Sequence, residues 1–262
     1  MSDDERREIR IEVEVEATPE QAWEAIATGP GITAWYVPAT VDGRVDGEMS
    51  LDFGGGMRES TRIVVWDPPH RLAYDIPSER GRGLAFEFVI EAQAGGTSLV
   101  RLVNSGFGTS ADWDAEYDGM DSGWRLFLAN LVLYLRHFPG QHAASLIVNG
   151  VAPGPRPQVW DRLVQAAGLP AAPAVGDRVE TGGDGTPALA GVVARVADEM
   201  LTVRTEAPAP GHVFFAAEGG GIQIYTSFYA YFFGDDADAV VARESPRWQA
   251  WMAAHFPPPA ED

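Results

Sequence analysis

Three observations predict an α+β chain made of two tandem copies of one arrangement, the second diverged. Apolar and charged residues alternate strictly over 9–16, the mark of a half-buried strand. Short alternating runs divided by turn residues then follow, as in an antiparallel meander. A long stretch of helical periodicity ends that half, and the order strand, helix, several strands, helix recurs more weakly afterwards. The boundary falls at 140–144, so the expected domains are 1–142 and 143–262.

Each element has a local cause. Ile9, Ile11, Val13 and Val15 face one side of the first strand, against Arg10, Glu12, Glu14 and Glu16. Thr18 followed by Pro19 and Glu20 supplies a cap, a first-turn proline and a first-turn acid, and Ala22, Trp23 and Ile26 give that helix its apolar stripe. Gly29-Pro30-Gly31 is expected to end it. Strands are expected at 41–44, 49–53, 58–66, 71–76, 84–92 and 98–104, with Asp67-Pro68-Pro69-His70 and Gly95-Gly96-Thr97 as connections. Trp124, Leu128, Leu131 and Leu135, widened by Phe127 and Tyr134, mark a long helix over 118–138. In the second half, strands are expected at 145–148, 177–181, 191–197, 200–205, 213–217 and 222–233, and helices at 157–168 and 245–256.

Composition excludes several classes of function. With 38 acidic and 19 basic side chains the formal charge is −19, which leaves no basic face for nucleic acid or an anionic membrane. All 19 basic residues are Arg, so Schiff-base chemistry has no lysine to use. The absence of Cys removes disulfides, thiolate nucleophiles and Cys-ligated zinc. The charged start MSDDERREIR is not a signal peptide, and no apolar run approaches a membrane span, so a soluble cytoplasmic protein is the expectation.

Several segments of the first half, taken in order, resemble a known superfamily. They are Glu16-Ala17-Thr18-Pro19-Glu20-Gln21-Ala22-Trp23, the Trp35 after the Gly/Pro break, Asp67-Pro68-Pro69-His70-Arg71-Leu72, Gly96-Thr97-Ser98-Leu99-Val100, and Gly123-Trp124 with Leu128. The run is similar to the SRPBCC (START/Bet v-like) superfamily. Within it, the run resembles the branch homologous to the activator of the ninety-kDa heat-shock protein ATPase, over about residues 9–138. The resemblance implies a helix-grip fold, a curved antiparallel sheet around a long C-terminal helix with two short helices at the sheet's ends. Where the family has a Gly-Gly pair before its third strand this chain has Val45-Asp46-Gly47-Glu48, with one glycine absent. The branch name does not by itself make a chaperone the partner.

A sheet that grips a helix without filling the gap leaves an elongated cavity, and strand parity selects its lining. Met49, Leu51 and Phe53 oppose Ser50 and Asp52; Leu72, Tyr74 and Ile76 oppose Asp75; Leu84, Phe86, Phe88 and Ile90 oppose Glu87 and Glu91. Asn104 shares a face with Val100 and Leu102 and is the candidate hydrogen-bonding group for a ligand. Trp35, Tyr36, Trp66, Phe107, Trp113, Trp124 and Leu128 complete the expected lining, each also able to serve as ordinary core.

Other chemistry is poorly supported. His70, His137, His142, His212 and His255 show no metal-ligand spacing, and no GxSxG elbow occurs. Neither a metal nor a cofactor is expected. Gly54-Gly55-Gly56 and Gly219-Gly220-Gly221 lack a phosphate-loop lysine and read as turns or bulges. The acids of 104–119, among them Asp112, Asp114 and Asp118, suit a helix N-terminus or a lid better than a calcium loop. Arg101 is expected outside, and Arg58 is left undecided by the preceding glycines. The expected function is binding of a small hydrophobic or amphipathic molecule without catalysis. The alternatives are a cyclase or dehydratase drawing on Asn104, Tyr74, Asp52 and Glu59, and a protein-interaction module, with a protein partner or homodimer as the assembly it implies.

Overall fold

The computed structural model describes residues 6–54, 56–76, 83–110, 113–183, 185–219 and 223–257. Asp112, Gly55, Gly220, Gly221 and Ile222 lie outside them. The chain divides after Gln141 into two compact units.

In the first unit, β1 (Arg7–Val15) buries Ile9, Ile11 and Val15 and exposes Glu8, Arg10, Glu12 and Glu14. The alternation therefore does what its period dictates. α1 (Pro19–Ala27) opens on a full capping box, in which the Thr18 hydroxyl accepts from the Gln21 N–H and the Gln21 side chain accepts from the Thr18 N–H. Thr18→Ala removes one half of it and is expected to cost about 1 kcal/mol in denaturant unfolding. A loss below a few tenths of that value would show the cap to be dispensable.

Gly29-Pro30-Gly31 does not merely end α1; it begins a second helix, α2 (Gly29–Thr33), capped by the Thr28 hydroxyl accepting from the Gly31 N–H. A proline in a first turn starts a helix as readily as it stops one. Glycine is needed here for space, because a Cβ on Gly31 would lie 1.9 Å from the Glu24 carbonyl oxygen.

β2 (Ala39–Val41) precedes the expected strand position, and the following turn explains why. Asp46 adopts φ +62°, a left-handed conformation tolerated by Asp, at the place where the resembled pattern carries its extra glycine. β3 (Glu48–Asp52), β4 (Arg58–Asp67), β5 (Arg71–Asp75), β6 (Ala85–Ala92) and β7 (Ser98–Phe107) complete a seven-stranded antiparallel sheet of order β1-β7-β6-β5-β4-β3-β2. β7 runs past its expected end. Gly106 at φ +108° and a register slip between Arg7 and Glu8 form a bulge that returns Phe107 to the buried face. α3 (Asp114–His137) packs on β1 and α1. It starts four residues before the expected 118, where Asp114 and Glu116 favour the positive helix end.

The outer face of this sheet is a lattice of ion pairs. Arg101 meets Glu12 and Glu91, Arg62 meets Asp75, Arg71 meets Glu87, and Arg58 meets Asp52. Arg101 is thus outside as its parity requires, and Arg58 joins it there.

The second unit repeats the plan. β8 (Ala143–Pro153), α4 (Arg156–Ala167), β9 (Arg178–Glu180), β10 (Ala190–Ala197), β11 (Met200–Ala207), β12 (Gly211–Glu218), β13 (Gln223–Phe233) and α5 (Ala237–His255) follow in order. Its sheet order, β8-β13-β12-β11-β10-β9, again sets the first strand beside the last. The chain is therefore an α+β tandem of helix-grip copies. α5 has 19 residues and is not short: Pro246 lies inside it, on the exposed side, while Ala237, Val240, Trp248, Trp251 and Met252 keep a buried stripe on both sides of the proline. Burial of that stripe outweighs the lost helical hydrogen bond.

Candidate functional site

Strand register brings the candidate side chains together. Ile9, Asn104, Phe86, Tyr74 and Ile63 stand laterally opposite one another across β1, β7, β6, β5 and β4, all buried on the face turned from the ion-pair lattice. From the other side Trp124 of α3 packs on Phe86 and Phe88, with ring centroids 5.7 and 6.0 Å away. The segment after α2 adds two more rings. Trp35 is pinned by its indole N–H donating to the Ala25 carbonyl (2.9 Å) and by Asn130 of α3 donating to the Trp35 carbonyl (3.1 Å). The next ring, Tyr36, thereby sits among Trp35, Phe53, Trp124 and Phe127, at 4.6–5.8 Å.

The void at the centre is about 10 Å³, lined by Ile26, Ile32, Trp35, Tyr36, Met49, Leu51, Tyr74, Phe88 and Trp124. That is about the room for one water. The interior is thus far fuller than a helix-grip fold leads one to expect, because Tyr36 and Trp124 interdigitate across the gap.

The sequence-predicted residues divide by position. Trp35, Tyr36, Tyr74, Phe88 and Trp124 line the void, and Phe53 and Phe86 touch rings that line it. Asn104 stands beside Phe86 in the lateral row, and Leu102 and Leu128 are fully buried core. Trp66 packs edge-on against Trp23 of α1 at 4.9 Å, while Phe107 and Trp113 pair at the start of α3. Parity says which face a residue occupies but not how far along the helix it lies. Ile26 reads from the sequence only as part of the α1 stripe, and Ile32 and Asn130 carry no local signal of their place here.

Four polar groups belong to this interior. Asn104, wholly buried, donates to the Ala85 carbonyl at 3.3 Å, but its side-chain oxygen has no partner among the described residues. The indole N–H of Trp124 also lacks one among the described residues. Tyr74 is held well above the ordinary phenol range by burial first and by the charge of Glu59 second. Glu59 sits directly opposite Leu51 and shares a face with buried Thr61 and Ile63, and burial pushes its carboxyl up.

A raised carboxyl favours the protonated fold, so its contribution falls as pH rises from the unfolded value through the folded one. Glu59→Gln, a permanent mimic of the neutral acid, is therefore expected to stabilise the protein at pH 7 and to lose that advantage below about pH 4. Thermal melts at both pH values measure it; equal effects at both would mean Glu59 is not desolvated.

Among the described residues no group of three His, Asp or Glu side chains could hold a metal. No helix among the described residues is long and apolar enough to cross a membrane. Asp114 is tied to Arg7 at 2.6 Å, at the start of α3.

Residues 16–136 match the family described as activator of Hsp90 ATPase homolog 1-like protein. No curated protein matches the chain. Among solved structures, protein MLL2253 of Mesorhizobium loti is 20% identical, with 50% of this chain and 98% of that one covered and a TM-score of 0.46. The Aha1 dimer of Colwellia psychrerythraea is 18% identical, with 50% and 97% covered and a TM-score of 0.45. The di-domain ARO/CYC protein BexL of the BE-7585A biosynthetic pathway is 15% identical, with 98% and 100% covered and a TM-score of 0.46.

Proposed function

We propose that the first unit, whose residues 16–136 match the family described as activator of Hsp90 ATPase homolog 1-like protein, binds a small amphipathic molecule between its sheet and α3. The observation that carries this reading is the pair of buried, unpartnered polar atoms in the interior, the Asn104 oxygen and the Trp124 N–H. Each such atom costs a fold about 1–3 kcal/mol, a cost that a ligand's own donor and acceptor would relieve. The aromatic lining supplies the apolar contact. Entry requires displacement of rings, and Tyr36 and Phe53, both only part-buried, are the ones a guest would replace.

A protein-docking role would call for a contiguous apolar surface of several hundred Å². The exposed large apolar side chains described in the first unit are Val45, Met57 and Val64, three residues that supply little such area.

Calorimetric titration with 2-naphthylmethanol tests the proposal. Saturable binding is expected, weakened about 5–10-fold by Asn104→Leu, the worth of one hydrogen bond. Absence of saturable binding, together with no small molecule retained in native mass spectra of the purified protein, would overturn it.

A further inference from the structure

On the gripping face Arg7, at the sheet's edge, is paired with Asp114 of α3, whereas Glu59 is the other charged strand residue described on that face. It stands opposite Leu51, which lines the void, and its charge is felt by Tyr74, which also lines it. No ion pair reaches it among the described residues. The neighbouring guanidinium, Arg58, is turned to the other face and engaged with Asp52 at 3.0 Å, and Arg62 there engages Asp75. The rings on the interior, Trp35, Tyr36, Tyr74 and Trp124, give any guest apolar contact and can in addition attract a cation through their electron-rich faces. Among the described arginines of the sheet, Arg7 on that face is tied to Asp114, and Arg58, Arg62, Arg71 and Arg101 are engaged on the outer lattice, which leaves none of these to meet a carboxylate guest.

We propose that the guest is a hydrophobic amine in its ammonium form, with Glu59 as its counter-charge and the surrounding rings as the wall it lies against. This rests on the binding reading above and names the ligand class for that same site. The formal charge of −19 works in the same direction, since it concentrates cations around the chain and repels anions. A bound ammonium would also give Glu59 the partner it lacks, so the carboxylate would no longer be an uncompensated charge beside apolar groups.

Three probes of one shape separate the possibilities: 2-naphthylmethylammonium, 2-naphthylmethanol and 2-naphthoate, titrated into the full chain at about 150 mM salt, where distant surface charges are screened. The ammonium is expected to bind about tenfold or more tighter than the alcohol, and the naphthoate weakest. In Glu59→Gln the ratio of ammonium to alcohol affinity is expected to fall to about one, and in Glu59→Asp to remain above it. Equal affinities for ammonium and alcohol in the unaltered protein would overturn the ligand class and leave the binding reading standing. An ammonium preference that survives Glu59→Gln would also overturn it, because the selectivity would then come from the general field of the chain. Failure of all three probes, together with no small molecule retained in native mass spectra, would overturn both readings.

Discussion

Trp124→Ala is expected to lower stability by about 3–5 kcal/mol, the usual cost of emptying a buried tryptophan site. The indole is 4% exposed and touches Tyr36, Phe86 and Phe88, so its removal strips contact from the segment after α2, from α3 and from β6 together. Two effects oppose each other. Lost burial and the cavity destabilise, whereas losing an N–H without an acceptor relieves the fold, so Trp124→Phe should cost much less than Trp124→Ala. Urea unfolding of both variants measures the difference. The cavity in Trp124→Ala should also take up free indole and regain part of the lost stability, as apolar voids accept matching rings. A loss under about 1 kcal/mol, well below the range for such a truncation, would mean the ring is not packed as described.

Trp248→Ala should be comparably severe in the second unit. Trp248 is 1% exposed, stacked on Phe228 with centroids 3.9 Å apart, and edge-on to Phe215 and Trp251. Its loss would remove the centre of an aromatic cluster that joins β12, β13 and α5, again at about 3–5 kcal/mol. It is also the first fully buried ring after Pro246, so it anchors the part of α5 that the proline has deprived of a backbone hydrogen bond. A fall in Tm of about 10 °C or more is expected for a unit of this size, with collapse of the near-ultraviolet circular dichroism of the stacked pair. An unchanged Tm would show that α5 is held elsewhere.

The two helix starts differ in how visible they were. Thr18 and Gln21 announce α1 because a capping box is complete within four residues. Gly29-Pro30-Gly31 carries equally strong local signals, but these are shared by helix ends and helix starts. Only the close approach of Gly31 to the Glu24 carbonyl settles which applies. α5 is a similar case, since Pro246 reads as a boundary until the buried stripe on both of its sides is seen.

Within the site, period-two parity placed Phe86, Phe88, Tyr74, Leu51 and Asn104 on the buried face, because a strand's pleat leaves a side chain only two directions. It was silent on Glu59, a carboxyl in the same row as Thr61 and Ile63, since the glycines before Arg58 obscure where the strand begins. The amino-acid sequence by itself determined most of the strands, the α1 cap, the repeated order of elements and the sides that strand residues face. All of these follow from interactions within a few residues. The tertiary structure alone decided that Trp66 goes to α1, that Phe107 and Trp113 go to the start of α3, and that Tyr36 and Trp124 close the interior to about 10 Å³. Those outcomes depend on where a helix docks along a sheet and on the fit of rings from distant segments, which no local pattern encodes.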